Sequence, residues 1–350
     1  MKLFFSPTQL LHRPQQYFRF GRIGTALENP DRMETLAASL AALGLARHEP
    51  VDHGLGPILA VHDAAYVQFL QDIWGLWQSL PDAGPEVLPN IHPYRGAGHD
   101  LFRQDRPRNT GPIGLTGYHV GDMSCAMGAG TWTAAHASAQ AAMSGAEALL
   151  AGERHALALC RPPGHHCYRD RANGFCFLNN AAIAAERLRS RFSKVAILDF
   201  DTHHGDGTQA IFYARGDVLV ASCHTDPADY YPFFAGFADE RGYGAGEGAN
   251  LNLPLPPGTD DEGYLSAVRG LAAAVTAFGA EALVVSAGWD AHRDDPLSRL
   301  AVTGAAFPRL GEIVAGLGLP TLIVQEGGYS LAAIAEAAPS FLNAFLAVHR

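Results

Sequence analysis

The chain has little of what marks secreted, membrane-spanning or nucleic-acid-binding proteins. Its five cysteines, Cys125, Cys160, Cys167, Cys176 and Cys223, are odd in number and form no CxxC pair among 350 residues. A disulfide framework does not suit a chain this long, so reduced thiols in a cytoplasmic setting are the expectation. No stretch offers about 18 consecutive uncharged apolar residues, and no membrane partner is expected. The opening MKLFFSPTQLLHRP has a short apolar run broken at Pro7, without a signal-peptide core or a small-residue cleavage site. Basic residues are scarce and scattered, 25 against 35 acidic for a net charge of −10. That pattern leaves no footprint for nucleic acid. The negative surplus serves solubility, or draws in a cationic substrate. Repeats and linkers are also lacking, so residues 1–350 are read as a single domain. With 48% hydrophobic residues, it can build one large core or two modest ones.

What is present has a rhythm. MKLFF is a candidate first strand. Residues 10–30 show no clean period and read as loop. A helix is expected from Pro30 through RMETLAASLAALGL, capped by Asn29. VHDAAYVQFLQDIWGLW follows with an apolar stripe. Residues 81–121, rich in Gly and Pro, read as a long irregular stretch of the kind that serves a function or an interface. TWTAAHASAQAAMSGAEALLAG is a long alanine-rich helix. From there strands and helices alternate. HALALC, KVAILDF, VLVASCHT, EALVVSAG and TLIVQ are apolar strands, separated by helical segments. Such strands call for an α/β fold with a mainly parallel sheet covered on both faces. An open doubly wound sheet and a closed barrel both fit.

Four strand exits carry concentrated chemistry: RPPGHH, DFDTHHGDG, SAGWDAH and QEGGY. Ligand sites of open parallel sheets lie beyond the carboxyl ends of the strands, so one sheet edge can gather all four. Asp201 and His203 are two apart and point the same way on an extended exit. With Asp290 they make an Asp-His-Asp set with an open position, suited to hydrolytic zinc; iron or cobalt suits the same donors. The alternative is a structural cation or a buried salt network. His165 and His166 can supply the base and the acid that a metal-activated water and a leaving amine need. Asp199 and Asp206 are the natural partners for their far nitrogens. Tyr329, after two glycines, can face the metal and hydrogen-bond a carbonyl oxygen as it becomes an oxyanion. Glu326 is placed behind the glycines. The bland alternatives are surface or core histidines and a packed tyrosine.

Taken together, RPPGHH, GFCFLNNAAIAA, LDFDTHHGDGTQ, SAGWDAHRDDPL and EGGY resemble the zinc-dependent histone deacetylase family, which includes bacterial acetylpolyamine amidohydrolases. The resemblance covers nearly the whole chain. It implies the three-layer arginase–deacetylase α/β fold with a mainly parallel eight-stranded sheet. It implies zinc on Asp201, His203 and Asp290, with His204 not a ligand. By the same resemblance His165 and His166 are the tandem catalytic histidines, Asp199 and Asp206 their carboxylate partners, and Tyr329 the carbonyl-polarising tyrosine. His166 then handles both proton steps and His165 acts mainly by charge. Gly174, Phe175 and Tyr231 match the tunnel wall. A structural potassium matches backbone carbonyls of Asp199, Asp201, His203 and Cys223, with Ser222. The N-terminal half looks most like the polyamine enzymes, in which an inserted loop helps form a dimer and narrows the tunnel. Residues 85–117 are the equivalent stretch, and a homodimer is the expectation. Polyamine-type members place an acid near the mouth. Ser124 falls on that position, with Asp122 the available substitute two residues earlier. The implied function is removal of acetyl groups from small acetylated amines; acyl-lysine in proteins or peptides, or another small N-acyl amine, stays open. A two-manganese arginase-like reading lacks the paired DxD in AGWDAH. A non-enzymatic binding module would require a missing ligand or tyrosine, and all are present.

Overall fold

In the segment Val195–Asp199, side chains alternate between two cores. Val195 and Ile197 enter one, Ala196 and Leu198 the other, all without solvent exposure. Ala282 and Val284 against Leu283 and Val285, and Leu322 and Val324 against Ile323, repeat the pattern. A strand with both faces buried needs cover on both sides, which a parallel sheet with helical crossovers supplies. The computed structural model describes residues 1–93, 108 and 110–349.

Among these residues eight strands form one sheet, all neighbours parallel: β1 (Lys2–Phe4), β4 (Arg47–His48), β5 (His155–Ala158), β6 (Val195–Asp199), β7 (Val218–Thr225), β8 (Asn250–Leu255), β9 (Ala282–Ala287) and β10 (Thr321–Gln325). Their spatial order is β4-β1-β5-β10-β9-β6-β7-β8. Helices α3 (Ala64–Gln78), α5 (Thr131–Leu150) and α6 (Asn180–Leu188) cover one face; α1 (Pro30–Ala41), α8 (Asp261–Phe278), α9 (Ala306–Ala315) and α10 (Leu331–Val348) cover the other. α8 is capped by the Asp260 side chain and ends on Gly279 at φ +75°, a conformation glycine adopts without a Cβ penalty. α10 is long and apolar enough to cross a membrane by composition, yet Ile334, Phe341, Leu342 and Phe345 are all buried in the second core. The order places β5, β10, β9 and β6 side by side in the middle of the sheet. These are the strands that carry the four chemistry-bearing exits, so the exits converge at one edge.

The eight-stranded parallel sheet agrees with the sequence expectation, and several local readings need correction. Residues 10–30 are not plain loop: a 3₁₀ turn (Pro7–Leu11) leads into an antiparallel hairpin, β2 (Gln16–Arg19) and β3 (Arg22–Thr25). Its residues are largely exposed, so no buried face imposes an alternating pattern. Asn29 stands at the start of α1 but its side chain makes no capping bond. Residues 112–119 of the irregular stretch form a helix, α4 (Pro112–His119). Much of the 85–117 segment expected at a dimer interface lies outside the described residues. β4 and β8 went unread because one is two residues long and the other carries Pro254 at the sheet edge.

A buried ionic cluster ties the N-terminal segment to the sheet edge. Glu28 accepts from Arg32 Nη1 at 2.8 Å and from Arg161 Nε and Nη2 at 2.8 and 3.0 Å. Arg161 also donates to the carbonyls of Gln9 and His12, and Arg32 to those of Glu326 and Gly328. All three charged side chains are sealed from solvent. Removing one partner from such a set leaves uncompensated buried charge, at about 3–5 kcal/mol. Glu28→Gln is therefore expected to lower unfolding free energy by about that amount, read from urea midpoints at unchanged slope. A loss within experimental error would contradict the buried pairing.

Candidate active site

The β6 exit turns on its own side chains. Asp199 Oδ1 accepts from the Asp201 amide at 3.0 Å, and Asp201 Oδ1 from the His203 amide at 2.9 Å. These bonds curl the exit so that Asp201 and His203 share a side. From β9, Asp290 Oδ1 accepts from the Thr202 amide at 3.0 Å; from β10, the Gly327 amide donates to Asp201 Oδ2 at 2.9 Å. Three ligand atoms of Asp201, His203 and Asp290 thereby lie within 4.8 Å of one another, all buried. His203 Nδ1 is 3.1 Å from Asp201 Oδ1 and 3.2 Å from Asp290 Oδ2. One ring hydrogen cannot serve both oxygens, and Asp290 Oδ2 is left buried without a hydrogen-bond partner. A Cβ on Gly327 would fall 2.2 Å from that oxygen, so only glycine leaves the cradle open. Burial, with Asp201 adding like charge, pushes Asp290 up to about 7. An unpaired oxygen, two crowded carboxylates and an imidazole make a donor set that a divalent cation would neutralise.

The tandem histidines differ in surroundings. His165 lies behind the cavity, with Nδ1 3.0 Å from Asp199 Oδ2 and Nε2 3.9 Å from Asp201 Oδ2. Burial works against charge on His165, but Asp201 and Asp199 outweigh it and raise its pKa well above the usual value. His166 lines the cavity and places Nδ1 2.6 Å from Asp206 Oδ1. Burial, reinforced by the neighbouring His165 and His203, holds His166 well below its usual pKa. Asp206 Oδ2 accepts from Tyr168 Oη at 2.8 Å and Asn173 Nδ2 at 3.1 Å. One histidine is thus biased cationic and the other neutral, although they adjoin in sequence.

Tyr329 follows Gly327 and Gly328 at the β10 exit and lines the same cavity. Asp295 accepts from its amide at 2.6 Å, and the Arg32 guanidinium lies 4.6 Å over its ring. Burial raises the Tyr329 pKa against the pull of Arg32, so the phenol keeps its proton and can donate it in a hydrogen bond. Glu326 sits behind the glycines, its Oε2 accepting from the Gly164 and His165 amides at 2.6 and 3.1 Å.

The cavity, about 730 Å³, is also walled by Tyr17, Gly174, Phe175 and Tyr231. Phe175 lies 5.6 Å from the Tyr329 ring and 5.9 Å from Tyr17; Tyr231 stands edge-on to His166 at 4.9 Å. Gly174 has φ +52°, and a Cβ there would meet His166 Cδ2 at 2.4 Å, so the wall comes this close only with glycine. Asp122 and Ser124 are in the lining, but not as a free acid. Asp122 Oδ2 accepts from Tyr231 Oη at 2.7 Å and the Gly174 amide at 3.0 Å; its Oδ1 accepts from Ser124 N at 2.8 Å and Oγ at 2.6 Å. Asp122 holds the wall together instead of standing ready for a distal ammonium.

Of the residues proposed for potassium, Asp199 pairs in register with Ser222 across β6 and β7, followed by Cys223. Ser222 Oγ is engaged with His224 Nδ1 at 2.8 Å. His204 stays out of the metal cluster and bonds Gln209 Oε1 at 3.1 Å. His292 stacks on Phe307, and no second metal-type group occurs among the described residues. Sequence reasoning missed Arg32, Tyr168, Asn173, Tyr230 and Asp295. Tyr168 and Asp295 lie inside or beside quoted motifs, where their acceptor and donor capacity was a usable signal; Arg32 reads as one polar residue of an amphipathic helix.

A histone deacetylase domain model matches residues 26–345. An acetylpolyamine amidohydrolase of Burkholderia pseudomallei (strain 1710b) is 45% identical over 99% of this chain and 98% of its own length. Acetylpolyamine amidohydrolase 1 of Pseudomonas aeruginosa is 41% identical over 97% of each. The crystal structure of an acetylpolyamine aminohydrolase from Burkholderia pseudomallei superimposes with a TM-score of 0.94 at 45% identity, covering 99% of both chains.

Metal binding at this centre should be proton-linked. Burial opposes charge on His203, but its hydrogen bond to Asp201 and the Asp290 carboxylate beside it raise its pKa to about 9. Below that pH its Nδ1 proton must leave before the nitrogen can ligate, so affinity falls with pH by about tenfold per unit. Zinc or cobalt titrated into metal-free protein at pH 7 is expected to release at least one proton, read by calorimetry in buffers of different ionisation enthalpy. Affinity independent of pH between 7 and 8.5 would contradict this arrangement.

Proposed function

The chain belongs to the histone deacetylase domain family, and on that premise we propose a zinc-dependent amidohydrolase that removes acetyl groups from small, acetylpolyamine-like amines. The observation that carries the proposal is convergence: a buried Asp-His-Asp group, a carboxylate-backed His166 and the Tyr329 phenol meet at one aromatic cavity. Held by Asp201, His203 and Asp290, zinc supplies Lewis acidity toward the amide carbonyl and lowers the pKa of a water molecule.

The remaining work falls to side chains of the protein. His166, kept neutral and oriented by Asp206, takes the proton from the attacking water and returns it to the amine nitrogen as the C–N bond breaks. Acetate and a free amine result. Tyr329 donates its hydrogen to the carbonyl oxygen as negative charge builds there. His165, buried between Asp199 and Asp201, contributes positive charge from behind. Gly174, Phe175 and Tyr231 form the wall along which the alkyl chain of the acetylated amine lies. Aromatic faces suit an ammonium-bearing chain through cation–π attraction even though Asp122 is committed to the wall.

Potassium on Asp199, Asp201, His203, Ser222 and Cys223 would tie the β6 exit, which carries Asp201 and His203, to β7. We read residues 1–350 as one catalytic domain, supported by two cores that share a single sheet. A homodimer through the 85–117 segment is proposed from the resemblance to the polyamine enzymes. A reducing, cytoplasmic setting is supported by five free, buried thiols.

Purified protein is expected to release acetate from acetylputrescine, acetylcadaverine and acetylspermidine faster than from an acetyl-lysine peptide. Comparable turnover across that panel would refute a specialised polyamine enzyme. Chelation should abolish the activity and added zinc restore it. Tyr329→Phe should lower kcat by about 10²–10³-fold, the usual cost of losing one donor to an oxyanion, with bound zinc unchanged. Full turnover after that substitution would exclude the role given to the phenol.

A further inference from the structure

A phenol has one hydrogen to give, and in Tyr230 it is already committed. Tyr230 lies beneath the metal-type cluster, 7% exposed, at the end of the short turn Pro227–Asp229. Its hydroxyl donates to the Leu297 carbonyl, which can only accept. The same oxygen is 2.8 Å from His203 Nε2. With its hydrogen spent on Leu297, that oxygen can only accept from the ring, so Nε2 carries a hydrogen. The nitrogen left to face Asp201 and Asp290 is Nδ1. The two rings stack with centroids 5.0 Å apart and planes 11° apart, which sets the plane of the imidazole as well as its protonation.

The support beneath Tyr230 is also built. Leu297 donates its amide to Asp295 Oδ1 at 2.9 Å. Asp295 Oδ2 accepts from the amides of Tyr329 and Ser330 at 2.6 and 2.9 Å. One short segment after β9 therefore holds the histidine through Tyr230 and the catalytic tyrosine through Asp295.

We propose that Tyr230 is a positioning residue for the metal centre, its hydroxyl locking His203 in the tautomer and plane that present Nδ1 as a ligand. The proposal rests on the reading of Asp201, His203 and Asp290 as a zinc site. Partners on the far nitrogen of a ligating histidine typically change metal affinity by about 10–100-fold.

The test compares zinc dissociation constants, measured by competition with a chromogenic chelator, for wild type, Tyr230→Phe and Tyr231→Phe. Tyr230→Phe keeps the stacked ring and deletes the hydroxyl, and with it the acceptor for His203 Nε2 and the bond to the Leu297 carbonyl. Tyr231→Phe deletes a neighbouring hydroxyl that serves Asp122. The expected result is a Kd raised about 10–100-fold for Tyr230→Phe and within twofold of wild type for Tyr231→Phe. The visible absorption of the cobalt-loaded Tyr230→Phe protein should also shift, while its metal-free urea midpoint stays close to that of Tyr231→Phe. A zinc Kd within twofold of wild type for Tyr230→Phe would overturn the proposal and leave the zinc site standing. Equal weakening in both variants would overturn it as well. A wild-type protein that binds no zinc would overturn the site reading itself.

Discussion

Asp201 and Asp290 are sealed from water with their ligand oxygens within 4.8 Å of one another and of a histidine nitrogen. Two carboxylates so placed repel each other in a medium that screens poorly, and no fold keeps them there without compensation. Much of the surrounding structure can be understood as that compensation. Amides of Thr202, His203 and Gly327 each donate to one of the two, and His203 brings an imidazole whose pKa they raise to about 9. The remaining deficit is an oxygen of Asp290 with no hydrogen to accept. A cation would complete the arrangement, and Gly327 keeps the space beside that oxygen clear for it.

The same constraint explains why the neighbouring histidines diverge. His165 lies next to the crowded carboxylates and is drawn toward the charged form. His166, one residue on, meets a cationic neighbour and a single carboxylate that is also bonded to Tyr168 and Asn173. Opposite protonation preferences are what one water-activating group and one electrostatic group need. The dipeptide produces both because the sheet edge offers two different surroundings within 4.0 Å, the separation of the two rings. Behind them, Glu28, Arg32 and Arg161 tie the N-terminal segment to the carbonyls of Glu326 and Gly328. The strand exit that ends in Tyr329 is thereby held from below by Arg32 and from the side by Asp295.

The parallel sheet was legible because strands buried on both faces leave continuous apolar runs, as in KVAILDF and EALVVSAG. The exits were legible because polar residues at the ends of such runs have no structural excuse. What escaped reading shares a different physics. The hairpin Gln16–Thr25 has no buried face to impose a period, and β8 buries Asn250 and Asn252 while its leucines stay half-buried beside Pro254. Arg32 and Tyr230 are ordinary in their local windows. Their importance comes from contacts 296 positions away, to Gly328, and 27 positions away, to His203. Periodicity and spacing carry no information about such contacts. Asp122 shows a related limit: its position suggested a free acid at the mouth, whereas four donors from Ser124, Gly174 and Tyr231 show a side chain already in use.

Reaction and substrate are therefore specified by different parts of the chain. The groups proposed to react sit on exits of four adjacent central strands, where register across the sheet fixes their separations. The mouth is made from the hairpin, the 121–124 and 173–175 turns and the 229–235 loop, none of which belongs to the sheet. Phe18, Phe20, Phe233 and Phe234 stand exposed there. Change at those four phenylalanines would alter what enters without touching the carboxylates, the histidines or Tyr329. Exceptions among the mouth residues are Asn173, which bonds Asp206, Tyr230, which bonds His203, and above all Gly174, where any side chain would strike His166. At that point the wall and the chemistry share one constraint, and substrate choice cannot drift independently of catalysis.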